Sequence, residues 1–200
     1  MFDRKTVIRW GSLLAMLASL AGCAPKDKPA FHATDITGGD HAQTLVAKDP
    51  AGKERSLAEF RGKVVTLFFG YTQCPDVCPT NLTTMADVMR KLGPDADKVQ
   101  VIFMTVDPER DTPELLQQYV PAFNPAFLGL YTTPEQTAAI AKGFKVFYQK
   151  QGDVNSSHYT IDHSAGTYVF DPQGRLRLYM KHGEKAEHVV SDIRLLLAGK

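Results

Sequence analysis

The sequence lacks any strong excess of charge: 23 lysines and arginines stand against 22 aspartates and glutamates, a formal net charge of +1. It also has no block of basic residues, so its composition gives no support for nucleic-acid binding. Internal repeats and low-complexity tracts are missing too. With 44% hydrophobic and 22% charged residues, the 200-residue chain has the composition of a globular protein. Its length suffices for a leader and one domain with a substantial core.

The apolar run near the N-terminus, Trp10 to Leu20, is too short to span a bilayer comfortably. It follows a region with basic residues at positions 4, 5 and 9, which is the pattern of a secretory signal. The next residues, Leu20-Ala21-Gly22-Cys23, are similar to the lipobox of bacterial lipoproteins, which implies cleavage before Cys23 and lipidation of its thiol. An uncleaved signal anchor is the alternative. Both predict a domain outside the cytoplasm, in the bacterial cell envelope, facing the periplasm and tethered to a membrane.

Three segments follow from this interpretation. Residues 1–22 are predicted to be the lipoprotein signal peptide. Residues 23–39 contain many Pro, Lys, Ala and Gly residues and are predicted to be a flexible tether. Residues 40–200 are predicted to form the single folded domain.

Only three cysteines are present, and a lipid on Cys23 would leave one pair, Cys74 and Cys78, in a compartment that permits disulfides. A disulfide that closes so small a loop would constrain the unfolded chain little. The pair is therefore poorly placed as a structural crosslink and well placed as a reversible dithiol or a metal clamp. Two small buried residues that happen to be cysteines would be the plainer interpretation, but prolines flank both of them.

The cysteine pair lies where a buried strand meets a helix. Residues 64–69, VVTLFF, are β-branched and aromatic and predict the strand, and apolar residues at helical spacing predict a helix that ends at Gly93-Pro94. A helix N-terminus stabilises negative charge, and therefore thiolates. We place Pro79 at the first helical position and residues 74–78 in a tight turn before it. Both sulfurs can then converge on one point, to close a disulfide or to hold one ion.

The rest of the domain alternates between strands and helices. We predict a hairpin over residues 44–56, strands over 99–106, 128–132, 165–170 and 175–180, an extended segment over 145–150, a surface loop over 152–158, and helices after Thr112, over 134–142 and over 187–197. This order predicts an α/β fold: a mixed sheet flanked by helices, with an N-terminal β-hairpin. The dithiol lies at the carboxyl end of a central strand, where open α/β sheets place their sites. The element order resembles the thioredoxin superfamily.

Three motifs together resemble the Sco/SenC family over roughly residues 35–200. They are Tyr71-Thr72-Gln73-Cys74-Pro75-Asp76-Val77-Cys78-Pro79, Thr105-Val106-Asp107-Pro108-Glu109-Arg110-Asp111-Thr112-Pro113 and Tyr159-Thr160-Ile161-Asp162-His163-Ser164. Members of that family are membrane-tethered copper-binding proteins that assist assembly of the dinuclear copper (CuA) centre of cytochrome c oxidase. The resemblance implies that Cys74, Cys78 and His163 are copper ligands and that Asp107 lies near the site.

The chemistry of this donor set agrees with copper. Two thiolates suit Cu(I), and an added imidazole lets the site hold Cu(II) as well. A site with three protein ligands stays open, as transfer to a recipient requires. A structural zinc site usually needs a fourth ligand, and the sequence has no second Cys or Cys/His pair to supply it.

His163 is the histidine most suited to be a ligand, because it lies at the mouth of a strand where thioredoxin-like proteins face their dithiol. His158 is its alternative. We predict ordinary surface or core roles for His32, His41, His182 and His188.

Two aspartates are candidates for orienting the ligands. Asp162 precedes His163 and is either a partner of the imidazole or a plain acid at a strand end. Asp107 is either a residue beside the site or part of a turn in which Asp111 or Thr112 caps the following helix. Met85, Met89 and Met104 are soft donors, but their periodicity favours core packing.

Three functions compete. The first is a copper metallochaperone that delivers copper to the CuA site or prepares that site; its partners would be the copper-bearing oxidase subunit, a periplasmic thiol reductant or copper donor, and the membrane through the lipid. The second is a thiol–disulfide oxidoreductase in which Cys74 and Cys78 reduce the cysteines of the CuA site. The third is a peroxidase of the peroxiredoxin type, in which Cys74 attacks peroxide and Cys78 resolves it.

Overall fold

A computed structural model describes residues 30–153 and 158–200. The predicted signal peptide, the lipidation site Cys23 and part of the predicted loop before His158 lie outside the described residues. In chain order, the strands and α-helices are β1 (Thr34–Asp35), β2 (Val46–Lys48), β3 (Glu54–Ser56), β4 (Val64–Gly70), α1 (Val77–Leu92), β5 (Val99–Thr105), α2 (Pro113–Tyr119), β6 (Leu128–Leu130), α3 (Pro134–Phe144), β7 (Tyr148–Gln151), β8 (Thr160–His163), β9 (Thr167–Phe170), β10 (Leu176–Met180) and α4 (Ala186–Leu197). Two 3-10 turns, Leu57–Phe60 and Gly93–Lys98, follow β3 and α1.

The central element is a six-stranded mixed sheet in the order β1-β10-β9-β4-β5-β6. Strands β4, β5 and β6 are parallel, whereas β9, β10 and β1 add antiparallel neighbours on the other side of β4. Helix α1 packs against α4, and α2 packs against β6. The prediction of a mixed sheet flanked by helices is therefore confirmed.

Strand β4 lies in the middle of this sheet and every one of its residues is buried. A parallel strand covered on both faces requires a continuous apolar run rather than an alternating one, and the sequence supplies it. The strand ends at Gly70, at the same edge of the sheet as the end of its parallel neighbour β5 at Thr105. This edge carries the predicted cysteines.

Two short ribbons stand apart from the central sheet. Strands β2 and β3 form the predicted hairpin, with Val46 opposite Ser56. Strands β7 and β8 form a second ribbon, with Tyr148 opposite His163. The sequence prediction attached His163 to the strand over 165–170; the structure instead places it at the end of a separate strand, because residues 164–166 break the ladder before β9.

Helix α1 begins two residues earlier than predicted. Its N-cap is Asp76, so Cys78 lies within the first turn and Pro79 occupies the third helical position, not the first. Proline is tolerated there because the first-turn N–H groups have no partner within the helix. The first helical hydrogen bond runs from the Thr80 N–H to the Asp76 carbonyl, at 3.1 Å.

Part of the predicted tether is folded. Strand β1 pairs with β10, and the N–H groups of His32 and Ala33 donate to the buried carboxylate of Asp192 at 2.9 and 2.8 Å. The fold thus begins before residue 40, because an acid on α4 supplies acceptors that local composition does not reveal. Within residues 30–153 and 158–200, no helix has the length and apolar character needed to cross a bilayer.

Candidate metal centre

A loop, a helix and a strand bring the three predicted ligands together. Cys74 lies in the loop after β4, and Cys78 lies in the first turn of α1. His163 ends β8, so it reaches the cysteines from the other half of the chain. Cys78 is fully buried, whereas Cys74 and His163 are partly exposed and line a cleft of about 460 Å³.

The ligand atoms are close enough to share one ion. The Sγ of Cys78 lies 3.5 Å from Nε2 of His163, and the Sγ of Cys74 accepts a hydrogen bond from the Cys78 N–H at 3.4 Å. The two sulfurs and the ring nitrogen all lie within 4.8 Å of one another. Among the described residues, this is the group of Cys, His and carboxylate side chains that meets a metal-site geometry.

The histidine ring is held with its Nε2 toward the sulfurs. Its Nδ1 lies 3.0 Å from the backbone carbonyl of Ser164. A carbonyl can only accept a hydrogen bond, so the ring donates from Nδ1 and its Nε2 faces the sulfurs. The imidazole is therefore oriented as a metal ligand would be, with a backbone group rather than a carboxylate as the orienting partner.

The two thiols share one proton unequally. A hydrogen bond from Cys78 lowers the pKa of Cys74 to about 3, with help from His163 and from the N–H groups of Asp76 and Cys78. The same hydrogen bond, together with burial, raises the pKa of Cys78 far above its usual range. Cys74 is thus the thiolate and Cys78 the thiol in the reduced protein. A thiolate is both the nucleophile and the metal ligand, so the pair suits either role.

Gly70 makes room for the buried sulfur. A Cβ at this position would lie 2.7 Å from the Sγ of Cys78 and 2.9 Å from the ring of Phe103. Gly70 begins the stretch that carries the cysteines, but the motif alone gives it no role of its own. Its signal is the position: a glycine that ends a strand of bulky residues and directly precedes the cysteine loop.

Asp111 anchors the loop that carries Cys74, another role that the sequence analysis missed. Its buried carboxylate accepts hydrogen bonds from the N–H and the hydroxyl of Thr72 at 3.0 and 2.6 Å, and from the hydroxyl of Thr105 at 2.5 Å. Burial raises the pKa of Asp111. The predicted cap of α2 is Thr112, whose hydroxyl accepts from the Leu115 N–H. A threonine before the reactive cysteine is a feature of peroxiredoxin-type sites, but here the Thr72 hydroxyl is bonded to this carboxylate.

Asp107 and Asp162 differ in their surroundings. Asp107 is buried, pairs with Arg110 at 2.6 Å and accepts a hydrogen bond from the hydroxyl of Tyr159 at 2.7 Å. Asp162 is exposed and accepts from Gln151 at 3.0 Å. The hydrogen bond that orients His163 therefore goes to Ser164 in place of the predicted Asp162.

The comparisons with known proteins agree with this geometry. A family model described as SCO1/SenC matches residues 36–198. The chain belongs to the SCO1/SenC family. The resemblance that the three motifs indicate is thus confirmed.

Individual relatives extend the match. The mitochondrial SCO2 homolog of Mus musculus is 39% identical over 152 residues, which are 75% of this chain and 60% of that protein. The structure of Bradyrhizobium japonicum ScoI with copper bound is 36% identical, has a TM-score of 0.70 and covers 80% of this chain and 99% of its own. The solution structure of apo Sco1 from Thermus thermophilus is 41% identical with a TM-score of 0.74, covering 84% and 97%. The chain thus spans about 60% of the length of that mouse relative.

The other candidate donors of this SCO1/SenC chain lie elsewhere. His32 stacks on His188 with ring centroids 4.0 Å apart, and His188 bonds to Glu184 at 2.6 Å, away from the cysteine–histidine group. His41 lies beside Tyr168. The methionines that were weighed as ligands pack in the core, as predicted: Met85, Met89 and Met104.

Proposed function

We propose that this chain is a membrane-tethered copper metallochaperone. It binds copper through Cys74, Cys78 and His163 and delivers it to the CuA site of cytochrome c oxidase or prepares that site. The observation that carries the proposal is the convergence of two sulfurs and a ring nitrogen within 4.8 Å. The family membership supports the same reaction, because the Sco/SenC resemblance implies a role in oxidase assembly.

The donor set favours copper over other metals. Soft thiolate sulfurs select Cu(I), and imidazole is a ligand that Cu(II) also accepts. The described residues offer three ligands at this site, one fewer than a closed structural zinc site uses. The Bradyrhizobium relative holds copper on the same fold. A three-ligand cargo site leaves room for a ligand from the recipient, so that the ion is never released to solvent.

The position of the site suits transfer. Cys74 and His163 border a cleft open to solvent, together with Pro75, Asp76 and Val77. The recipient would be the copper-bearing subunit of the oxidase, and a periplasmic copper donor or thiol reductant would act upstream. A lipid on Cys23 would hold the protein at the membrane of a bacterial envelope, facing the periplasm. Release from the membrane fraction on Cys23→Ser tests that anchor.

Copper titration of the reduced full chain, followed by absorption and EPR, tests the metal site. We expect about one copper per chain, and loss of binding when Cys74 or Cys78 is replaced by alanine. His163→Ala should weaken Cu(II) binding and change its spectrum, because imidazole is the ligand that distinguishes this site from a bare dithiol. Stoichiometric binding with an unchanged spectrum in His163→Ala would remove the histidine from the site.

A thiol–disulfide oxidoreductase that reduces the cysteines of the CuA site is the second candidate. The observation that favours it is the low pKa of Cys74 beside the protonated Cys78, which is the state needed to attack a disulfide and then resolve the mixed disulfide. Exchange kinetics with a peptide disulfide separate the two functions. A rate of thiol–disulfide exchange that is the same in His163→Ala as in the parent chain would support the redox function. The metallochaperone function, in contrast, requires the histidine as a copper ligand.

A further inference from the structure

The strand that carries His163 is not part of the central sheet. Strand β8 pairs with β7 in a ribbon of two strands, whereas β4, which leads to the cysteines, belongs to the sheet of six. Chain continuity holds the His163 end of β8, since β9 of the central sheet begins four residues later, at Thr167. The other end of β8 needs side-chain contacts to hold it in place. The direction of the imidazole depends on both ends.

Arg110 supplies those contacts. Its guanidinium lies over the ring of Tyr159, 3.4 Å from the ring centroid, and its Nη1 donates to the Tyr159 carbonyl at 2.8 Å. Tyr159 is the residue immediately before β8. The same Nη1 donates to Oε1 of Gln73, the neighbour of Cys74, at 3.2 Å. Arg110 therefore contacts both segments that carry ligands.

Asp107 and Tyr71 complete the connection. The Arg110 side chain is 11% exposed and its Nε donates to the carboxylate of Asp107 at 2.6 Å, which fixes the plane of the guanidinium. The other oxygen of Asp107 accepts from the hydroxyl of Tyr159 at 2.7 Å. Tyr71, in the loop before Cys74, accepts a hydrogen bond from the Ile161 N–H of β8 at 3.1 Å.

We propose that Arg110 is a positioning residue for copper: it ties the start of β8 to the cysteine loop and so sets the distance between the His163 imidazole and the two sulfurs. This inference rests on the proposed copper site. Arg110 acts through Tyr159, Gln73 and Asp107, and a planar group with several donors is required to reach them together.

The consequence differs between the two valences of copper. Two thiolates suffice for Cu(I), and both sulfurs lie in one short segment that comprises the loop after β4 and the first turn of α1. Cu(II) gains from the imidazole, whose position depends on the ribbon. A loosened ribbon should therefore impair Cu(II) binding and leave Cu(I) binding unchanged.

The test compares the reduced full chain with Arg110→Met, His163→Ala and the double variant. Affinities for Cu(I) and Cu(II) are measured by competition, and the Cu(II) site is followed by EPR. We expect Arg110→Met to weaken Cu(II) binding by about 10-fold, the lower end of the range for losing a direct hydrogen bond to a metal ligand, because Arg110 acts through neighbours of the ligands. Its spectrum should shift toward that of His163→Ala, and Cu(I) affinity should not change. The double variant should bind Cu(II) no more weakly than His163→Ala alone, because the proposed role of Arg110 is to place the histidine.

Arg175→Met is the matched control. Arg175 pairs with a buried aspartate, Asp171, at 2.7 Å, as Arg110 does with Asp107. It lies at the opposite end of the sheet, since Phe170 pairs with Val65 near the start of β4. We expect its Cu(II) spectrum and affinity to match those of the unaltered chain.

Arg110→Lys is a milder second variant for the case in which Arg110→Met does not fold. Circular dichroism and thermal unfolding show whether each variant is folded. Lysine keeps the charge beside Asp107 but cannot reach Gln73 and the Tyr159 carbonyl at once. It should shift the Cu(II) spectrum in the same direction by less. The inference is overturned if a folded Arg110 variant keeps the original Cu(II) spectrum and affinity. It is also overturned if the loss of Cu(II) affinity in the double variant is the full sum of the losses in the two single variants. A parent chain that binds copper without any dependence on His163 would overturn the proposed function as well.

Discussion

At the scale of single residues, the site depends on an unequal sharing of one proton. Cys74 has a partly exposed sulfur and lies just before the N-terminus of α1, whereas Cys78 is buried within the first turn. The hydrogen bond between them and the helix dipole both stabilise negative charge on the outer sulfur. The outer sulfur is the one that an incoming ion or disulfide meets first.

The reactivity of Cys74 with iodoacetamide in the reduced, metal-free chain tests whether Cys74 is the thiolate. Because its pKa is lowered to about 3, the thiol is already ionised at pH 5, and the alkylation rate should stay nearly constant from pH 5 to pH 8. An ordinary cysteine, with a pKa of about 8.5, would slow about tenfold for each pH unit below that value. Rates are read by mass spectrometry of the Cys74 peptide.

Cys74→Ser provides the control for that experiment. It leaves Cys78, whose burial raises the thiol pKa even without Cys74 and keeps the reagent out, so alkylation should be slow throughout this range. A tenfold rise in the Cys74 rate per pH unit between pH 5 and pH 8 would contradict the assignment of Cys74 as the thiolate.

At the scale of elements, one loop between β5 and α2 holds both ligand-bearing segments. Asp111 accepts two hydrogen bonds from Thr72 in the cysteine loop, and Asp107 and Arg110 hold Tyr159 before the histidine strand. The loop follows β5, the parallel neighbour of β4, so its carboxylates reach the same edge of the sheet. The loop after β4 carries a ligand and the loop after β5 supports it. The parallel pairing of these two strands places the two loops side by side.

Thr72→Val tests the support of the cysteine loop. The change removes a hydroxyl that donates to the buried Asp111 carboxylate and leaves that acceptor less satisfied, which costs about 1–3 kcal/mol. We expect a lower free energy of unfolding by that amount in urea, and faster alkylation of the buried Cys78 as the loop opens more often.

The matched control is Thr84→Val on the exposed side of α1. Its hydroxyl donates to the Thr80 carbonyl at 2.9 Å within the helix and supports no buried group. We expect little change in stability and none in Cys78 alkylation. Equal effects of the two substitutions would show that the Thr72–Asp111 contact has no special role.

At the scale of the whole molecule, the last helix closes the fold onto the first strand. Asp192 on α4 is buried and accepts from two consecutive backbone N–H groups, those of His32 and Ala33. Beside it, His32 stacks on His188 of the same helix. The segment that leads from the predicted lipid anchor is therefore fastened to the domain by residues that do not line the copper cleft.

Asp192→Ala should release this N-terminal segment without affecting the copper site. Loss of both acceptors leaves two backbone donors unpaired, so we expect a free energy of unfolding lower by about 1–3 kcal/mol. The β1 segment should become sensitive to a protease at low concentration. Copper stoichiometry and the Cu(II) spectrum should remain those of the parent chain, and a changed spectrum would refute the separation between anchor and site.

Much of this architecture was predictable because it depends on local pattern. The apolar run of β4 and the helical spacing of α1 place Cys74 and Cys78 at a strand–helix junction, and the short distance between them in the chain makes their convergence a local matter. At this junction only the start of α1 and the position of Pro79 differ from the prediction, since proline is tolerated throughout a first helical turn. Family motifs, rather than periodicity, identified His163.

The amino-acid sequence by itself determined the strands β4, β5, β6, β9 and β10, the α-helices and the chemical type of each ligand, since these follow from the size, polarity and spacing of neighbouring residues. The tertiary structure alone decided which groups support the ligands. Ser164 rather than Asp162 orients His163, Asp111 holds Thr72, and Asp192 holds a segment that composition predicted to be flexible. These contacts join residues whose geometry is set by how strands and helices pack. Which residues form these contacts depends on distance and direction in the folded chain. The spacing of residues along the sequence does not encode either quantity.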